Sequence, residues 1–185
     1  MNELDKLEGK GLLIHHWDTD GICSAKLILD YLGDRITANK TPILGNYFLT
    51  EEELAECQGF DFIIIVDMNL PEQNILKLAE NNKIFIFDHH LGKVINQVFH
   101  HNPVIKGENP DEYPSASWIV NDYLKNDVNL YALLGIIGDH EQKIKNKNPL
   151  LDAELNKITL PSGIPIKKVR VFKRDATMES IRPEK

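Results

Sequence analysis

Apolar residues along this chain fall into short continuous runs, separated by stretches with helical spacing. "DFIIIVD" (61–67) and "KIFIFD" (83–88) are apolar at consecutive positions and rich in Ile, Val and Phe. A strand apolar on both faces suits a parallel sheet covered by helices on each side. "GLLIHH" (11–16) is a third such run, and "TPILGNYF" (41–48) and "QVFHHNP" (97–103) are further strand candidates. Between the runs the period changes. Ile22, Ala25, Ile28, Leu29 and Leu32 recur at helical intervals. Thr50 followed by Glu53 is a capping-box pattern that opens a short helix over 51–57. Pro71 suits the first turn of a helix over 71–81. Two more helices are expected over 114–125, behind Pro114, and over 129–140. This alternation predicts an α/β domain, doubly wound, with a mainly parallel sheet of about five strands flanked by helices.

After these elements the pattern weakens. Residues 141–148, "EQKIKNKN", read as a polar, Lys-rich loop. Residues 164–174, "IPIKKVRVFKR", read as a final strand or a connector. The expected division is one domain over 1–160 and a C-terminal extension, or the start of a linker, over 161–185. No internal repeat or low-complexity segment is present.

The polar residues that end the apolar runs carry the chemistry. The first run ends at His16, Asp18 and Asp20, the 61–67 run at Asp67, and the 83–88 run at Asp88, His89 and His90. A late helix carries Asp139 just after "GIIG". In an open α/β sheet, ligands bind beyond the carboxyl ends of the strands. That topology gathers these residues on one rim. Carboxylates placed there are costly to bury unless something pairs with them, and a cation is the obvious partner. Carboxylate and imidazole without thiolate suit Mn²⁺, Mg²⁺ or Zn²⁺. The set exceeds what one ion needs and fits two ions about 3.5–4 Å apart sharing a carboxylate. The reaction class implied is metal-assisted phosphoester hydrolysis.

Each piece also has a plainer reading on its own. Asp20–Gly21 reads as a helix-capping turn, Asp67 as a strand-end acid and Asp139 as a solvated acid at a helix end. An EF-hand is excluded, because its first and twelfth positions would be His16 and Leu27. The joint pattern decides.

Composition narrows the setting. The 185 residues are 42% hydrophobic and 26% charged, with a formal net charge of −7. That balance argues against a protein that coats duplex nucleic acid nonspecifically, while leaving local gripping open. No apolar run approaches the roughly 18 residues of a membrane span, and the first ten residues lack an apolar signal core. Two cysteines, Cys23 and Cys57, form no metal or disulfide pattern. The expected location is cytoplasmic.

The ordered motifs resemble the DHH phosphoesterase superfamily, which includes RecJ-type single-strand exonucleases, oligoribonucleases and cyclic-dinucleotide phosphodiesterases. Family II inorganic pyrophosphatases are related. "HWDTDG" (16–21), the aspartate of "IIIVDMN", "DHH" (88–90) and "GIIGDH" (135–140) are similar to the four motifs, and "HNP" (101–103) is similar to an Asn-Pro after the third. The resemblance implies a metal-dependent phosphodiester hydrolase, a RecJ-like core acting on single-stranded DNA or RNA with two Mn²⁺ or, alternatively, Mg²⁺. It implies Asp18 on one ion with His16 as an added ligand, Asp20 and Asp139 on the other, Asp67 bridging and His89 ligating. His90 would face the phosphate as hydrogen-bond donor or general acid, with Asp88 orienting the histidines. Many relatives have a histidine four residues before the first aspartate; here that position is Ile14. Most also carry a second domain with a Gly-rich, His-containing motif, and no such run follows Asp139. The chain is either a domain of a longer protein or a compact variant.

Substrate contacts are less determined. Lys143 and Lys145, with Lys147 and the basic residues of 167–174, read as solvated faces or as grips for phosphates. His100 and His101 are candidates to line the groove, and His15 is expected to be a strand residue facing the core. Trp17, Tyr47, Phe48 and Tyr113 are the aromatics available for base stacking. Alternatives to a single-strand nuclease are a phosphoesterase for short oligonucleotides, cyclic dinucleotides or 3′-phosphoadenosine phosphate, and a non-catalytic replication scaffold.

Overall fold

Five consecutive side chains, Phe62–Val66, are wholly buried, and in this computed structural model they form the middle strand of the sheet. The structure describes residues 2–125, 127, 129–140, 153 and 157. Its strands are β1 (Gly11–His15), β2 (Ile36–Lys40), β3 (Phe62–Val66), β4 (Lys83–Phe87) and β5 (Phe99–His101). They lie in the order β2-β1-β3-β4-β5, and every neighbouring pair is parallel. The helices are α1 (Thr19–Leu32), α2 (Glu51–Glu56), α3 (Glu72–Ala79), α4 (Ala116–Tyr123) and α5 (Leu130–His140).

The period of two along each strand divides the core. Leu13, Phe62, Ile64, Val66, Phe85 and Phe87 pack with α1, α4 and α5 through Ala25, Ile28, Val120 and Ala132. Leu12, Ile14, Ile63, Ile65, Ile84 and Ile86 pack on the other face with Leu54, Ile75 and Leu78 of α2 and α3. Each large apolar side chain buried this way contributes roughly 1.5–3 kcal/mol. With helices on both faces the sheet is doubly wound, and the chain leaves β1 for one neighbour and reaches β3 on the other side. The crevice between the carboxyl ends of β1 and β3 is therefore the topological switch point.

Most boundaries follow the sequence pattern. Thr50 and Glu53 form the expected capping box at α2, and Pro71 is the residue just before α3 rather than its first member. Two expectations are corrected. Residues 41–48 are not a strand; they form a turn in which the Asn46 N–H donates to the Ile43 carbonyl at 2.9 Å. The edge strand β2 precedes it, with only half-buried and exposed residues, Ile36, Thr37, Ala38, Asn39 and Lys40. Ile22, counted in the apolar stripe of α1, is 53% exposed. The Lys-rich loop 141–148, the segment 164–174 and the division near residue 160 lie outside the described residues. No described helix is long and apolar enough to cross a membrane.

Candidate metal centre

β1 ends at His15, and the next turn delivers His16, Asp18 and Asp20. Asp18 is the N-cap of α1, its Oδ1 accepting from the Gly21 N–H at 3.0 Å. A Cβ on Gly21 would stand 2.4 Å from the His16 carbonyl oxygen, so only glycine lets this turn close. Asp20 lies in the first turn of α1 and is wholly buried. Its carboxylate accepts from the backbone N–H groups of Ala116 at 2.7 Å and Ser117 at 3.0 Å. These open α4, so the partial positive charge of that helix end compensates Asp20.

Asp67 follows β3, is 3% exposed, and has a left-handed backbone with φ of 57°. Its N–H donates to the Phe87 carbonyl at 3.0 Å, which ties the end of β3 to that of β4. Beyond β4, Asp88 is buried and its Oδ1 lies 2.7 Å from His90 Nδ1. Asn102, also buried, donates to the His90 carbonyl at 2.9 Å and holds this loop from beyond β5. Asp139 comes from the last turn of α5. That helix fits closely because Gly135 lacks a side chain: a Cβ there would lie 2.0 Å from Ser117 Oγ and 2.3 Å from Asp20 Oδ1.

The result is one cluster with two parts. In the outer group, His16 Nδ1 lies 2.9 Å from Asp18 Oδ2 and 3.7 Å from Asp67 Oδ2. In the inner group, His89 Nε2 lies 3.1 Å from Asp139 Oδ2 and 3.9 Å from Asp20 Oδ2. The Asp67 carboxylate joins the two: Oδ2 faces His16, and Oδ1 lies 3.4 Å from His89 Nε2 and 4.0 Å from His90 Nδ1. Three sets, His16–Asp18–Asp67, Asp20–His89–Asp139 and Asp67–His89–His90, each bring their ligand atoms within 4.8 Å of one another, as holding a metal ion requires.

Electrostatics fits a cation. Both His16 nitrogens and His89 Nε2 are buried without a partner in hydrogen-bonding geometry, although carboxylate oxygens stand as close as 2.9 Å to His16 Nδ1 and 3.1 Å to His89 Nε2. Groups that approach closely without bonding to each other suit a shared third atom. Burial pushes the Asp20 pKa up, and the neighbouring Asp139 adds to it. Burial and then the Asp20 charge push Asp67 well above the usual carboxylate value. Burial pulls His89 down, but Asp139, Asp67 and Asp20 outweigh it and hold the imidazole well above its ordinary value. For Asp18, burial acts upward, while His16 and the Gly21 N–H overcome it and bring the pKa down to about 2. Oxygen and imidazole donors in excess of positive charge are a fit for Mn²⁺, Mg²⁺ or Zn²⁺.

A cleft of about 450 Å³ opens over the outer group, lined by His16, Asp18, Asp67, His90 and Asp139, and also by Tyr47, Met68, Asn69, Leu91 and His140. Tyr47 is one of the aromatics available for base stacking; Met68, Asn69, Leu91 and His140 go beyond the expected site residues. Tyr47 sits in the 41–48 run, whose apolar pattern predicts a strand where the structure has a turn, and Leu91 directly follows the DHH triplet. Pro114 marks the start of α4 in the sequence, but that helix meets Asp20 across 96 positions, which no local pattern reveals.

His101 is not brought to the cleft. Its ring packs against Phe87 at 5.8 Å, Phe99 at 6.3 Å and Tyr123 at 4.9 Å, and burial lowers its pKa. It pairs in register with Phe87, so both side chains share the α1–α4–α5 face of the sheet. His100 Nδ1 accepts from the Ile95 N–H at 3.3 Å. His15 is half-buried, its Nδ1 2.8 Å from the His16 carbonyl. Lys143 and Lys145 lie outside the described residues.

Residues 11–158 match the profile of the DHH family, N-terminal domain. The chain belongs to the DHH family. Among solved structures, this DHH domain is similar to an exonuclease RecJ bound to manganese, with 17% identity and a TM-score of 0.58 over 80% of this chain and 44% of that one. It is also similar to RecJ from Thermus thermophilus in complex with Mn²⁺, with 20% identity and a TM-score of 0.51 over 72% of this chain and 21% of that one. At these identities the likeness is one of fold. The DHH chain thus spans less than half of either RecJ protein. Among curated proteins, none matches the sequence.

Proposed function

We propose that this DHH domain is a divalent-metal-dependent phosphodiester hydrolase acting on single-stranded DNA or RNA, with two Mn²⁺ at its centre and Mg²⁺ as a substitute. The observation that carries this reading is the pair of donor groups, His16–Asp18–Asp67 and Asp20–His89–Asp139, meeting at Asp67 beneath an open cleft. The manganese in the two RecJ structures supports the choice of ion.

In this reading Asp18 and His16 would hold the outer ion, Asp20, His89 and Asp139 would hold the inner one, and Asp67 would serve both. Bound ions supply Lewis-acid stabilisation of the charge on a phosphate in transit. The chain's own groups do the rest. The α4 N-terminus fixes Asp20, and Asp88 engages His90 Nδ1. That contact leaves the other nitrogen of His90, whose side chain is 49% exposed, to donate a proton toward a phosphate or leaving oxygen. Basic residues beyond Asp139, Lys143 and Lys145 among them, are the proposed grips for backbone phosphates.

The test is hydrolysis of labelled single strands, dinucleotides, cyclic dinucleotides, 3′-phosphoadenosine phosphate and pyrophosphate in Mn²⁺. The expected order is single strands first and pyrophosphate last. Faster cleavage of a small substrate would replace the single-strand reading, and failure to bind Mn²⁺ would replace the hydrolase reading by a scaffold.

A further inference from the structure

Four large apolar side chains stand out on the loop between β2 and α2: Ile43, Leu44, Tyr47 and Phe48 are 57%, 50%, 59% and 46% exposed. Such clustering on a surface marks a contact site. Only Tyr47 of the four lines the cleft. Its ring stacks on that of His16 at 5.6 Å and 26°, and lies 5.5 Å from that of Trp17. The loop is tied down on both sides. The Ile43 N–H donates to Glu53 Oε1 at 2.9 Å, and Leu49 exchanges backbone hydrogen bonds with the Asn74 amide at 2.8 and 3.1 Å. Tyr47 is therefore an exposed aromatic on a braced loop, stacked against a residue of the outer donor group. Leu91, 81% exposed, also lines the cleft, its carbonyl held by the Asn69 amide at 3.2 Å.

A ligand that uses both the donor groups and this wall must carry a phosphate and a flat apolar-faced ring within one sugar's reach of each other. We infer that Tyr47 is the stacking platform for the nucleobase next to the phosphate held at the outer group, so that this site selects nucleotides over base-free phosphates. Stacking is tolerant of base identity, because every base offers a π-face. The inference rests on the proposed metal-dependent function, and its test separates the two.

The Mn²⁺-loaded protein is titrated with AMP and with ribose 5-phosphate, by calorimetry and by tryptophan fluorescence, Trp17 being the nearby reporter. AMP should bind about fivefold more tightly or better. Tyr47→Ala should remove that preference, Tyr47→Phe should keep it, and both variants should bind Mn²⁺ as the parent does. Equal affinity for AMP and ribose 5-phosphate in the parent, or a preference that survives in Tyr47→Ala, would overturn the platform while leaving the hydrolase reading intact. Failure of the parent to bind Mn²⁺ would remove both.

Discussion

The outer group opens on the cleft with Asp18 30% exposed, whereas the inner group is built on Asp20, which is wholly buried. The two aspartates lie two residues apart, yet their carboxylates shift in opposite directions. Asp18 caps its own helix and meets His16, which brings its pKa down to about 2. Asp20 receives two N–H groups from α4 but loses its water and faces Asp139, so its pKa rises. An ionised Asp18 is stable in the metal-free protein; an ionised Asp20 leans on a cation. The outer group suits exchange with substrate and solvent, and the inner group suits a resident ion.

The sharpest way to break that division is at the residue both halves share. Asp67→Asn should lower hydrolysis by about 10³-fold or more, since in the proposed mechanism several kcal/mol of transition-state stabilisation would pass through the metal pair. The same variant should melt higher than the parent in EDTA. The raised pKa of Asp67 means that its ionised form weakens the native state above the ordinary carboxylate value. Asparagine also tolerates the left-handed backbone at this position. A melting point unchanged or lower in EDTA would remove the claim that the cluster is under charge strain.

A comparison of Asp20→Asn with Asp18→Asn comes next in size. An amide at 20 turns an NH₂ toward one of the two helix N–H donors but also relieves the charge that burial and Asp139 penalise, so in EDTA the two offset and the net change should stay under about 1 kcal/mol. Asparagine keeps the helix cap, but Asp18→Asn gives up the charge that His16 and the Gly21 N–H hold ionised, so near neutral pH it should cost about 1–2 kcal/mol. Thermal melts in EDTA read both, and a loss in Asp18→Asn no larger than that in Asp20→Asn would erase the distinction between the groups. Gly135→Ala sharpens it from the other side. Its Cβ would press on Ser117 and Asp20, with an expected cost of about 1–3 kcal/mol. Mn²⁺ titration should show the inner site weakened more than the outer.

The smallest effect concerns two histidines. His89, among carboxylates, is shifted up, whereas His101, among Phe87, Phe99 and Tyr123, is shifted down by burial. A depressed folded value means the unfolded chain binds a proton that the native one refuses. Stability from His101 is therefore present above the ordinary imidazole value and lost as pH falls below it. His101→Phe should flatten the decline in melting temperature between about pH 7 and pH 5; an unchanged slope would show that His101 is already solvated.

These differences also mark what the chain's pattern makes legible. β3 and β4 stand out because both faces are buried, so nearly every position is apolar. β2 does not, because an edge strand buries little and is built from Thr37, Asn39 and Lys40 among its five residues. The apolar letters of 41–48 mislead for a related reason: they serve a surface beside the cleft rather than a core. The motif acids are legible because the carboxyl ends of parallel strands must meet. The cradle around Asp20 is not, since it depends on how α4 and Gly135 of α5 dock against α1. His101 sits next to a motif-like Asn-Pro, yet strand register turns it to the aromatic side.

The central claim is that acids and imidazoles from β1, β3, β4 and α5 hold a pair of ions that meet at Asp67. Mn²⁺ binding to the metal-stripped protein, measured by calorimetry in the parent and in Asp67→Asn, tests it most directly. The account predicts about two ions per chain of unequal affinity in the parent and the loss of at least one in the variant. A single ion or none in the parent, or an unchanged stoichiometry in Asp67→Asn, would contradict it.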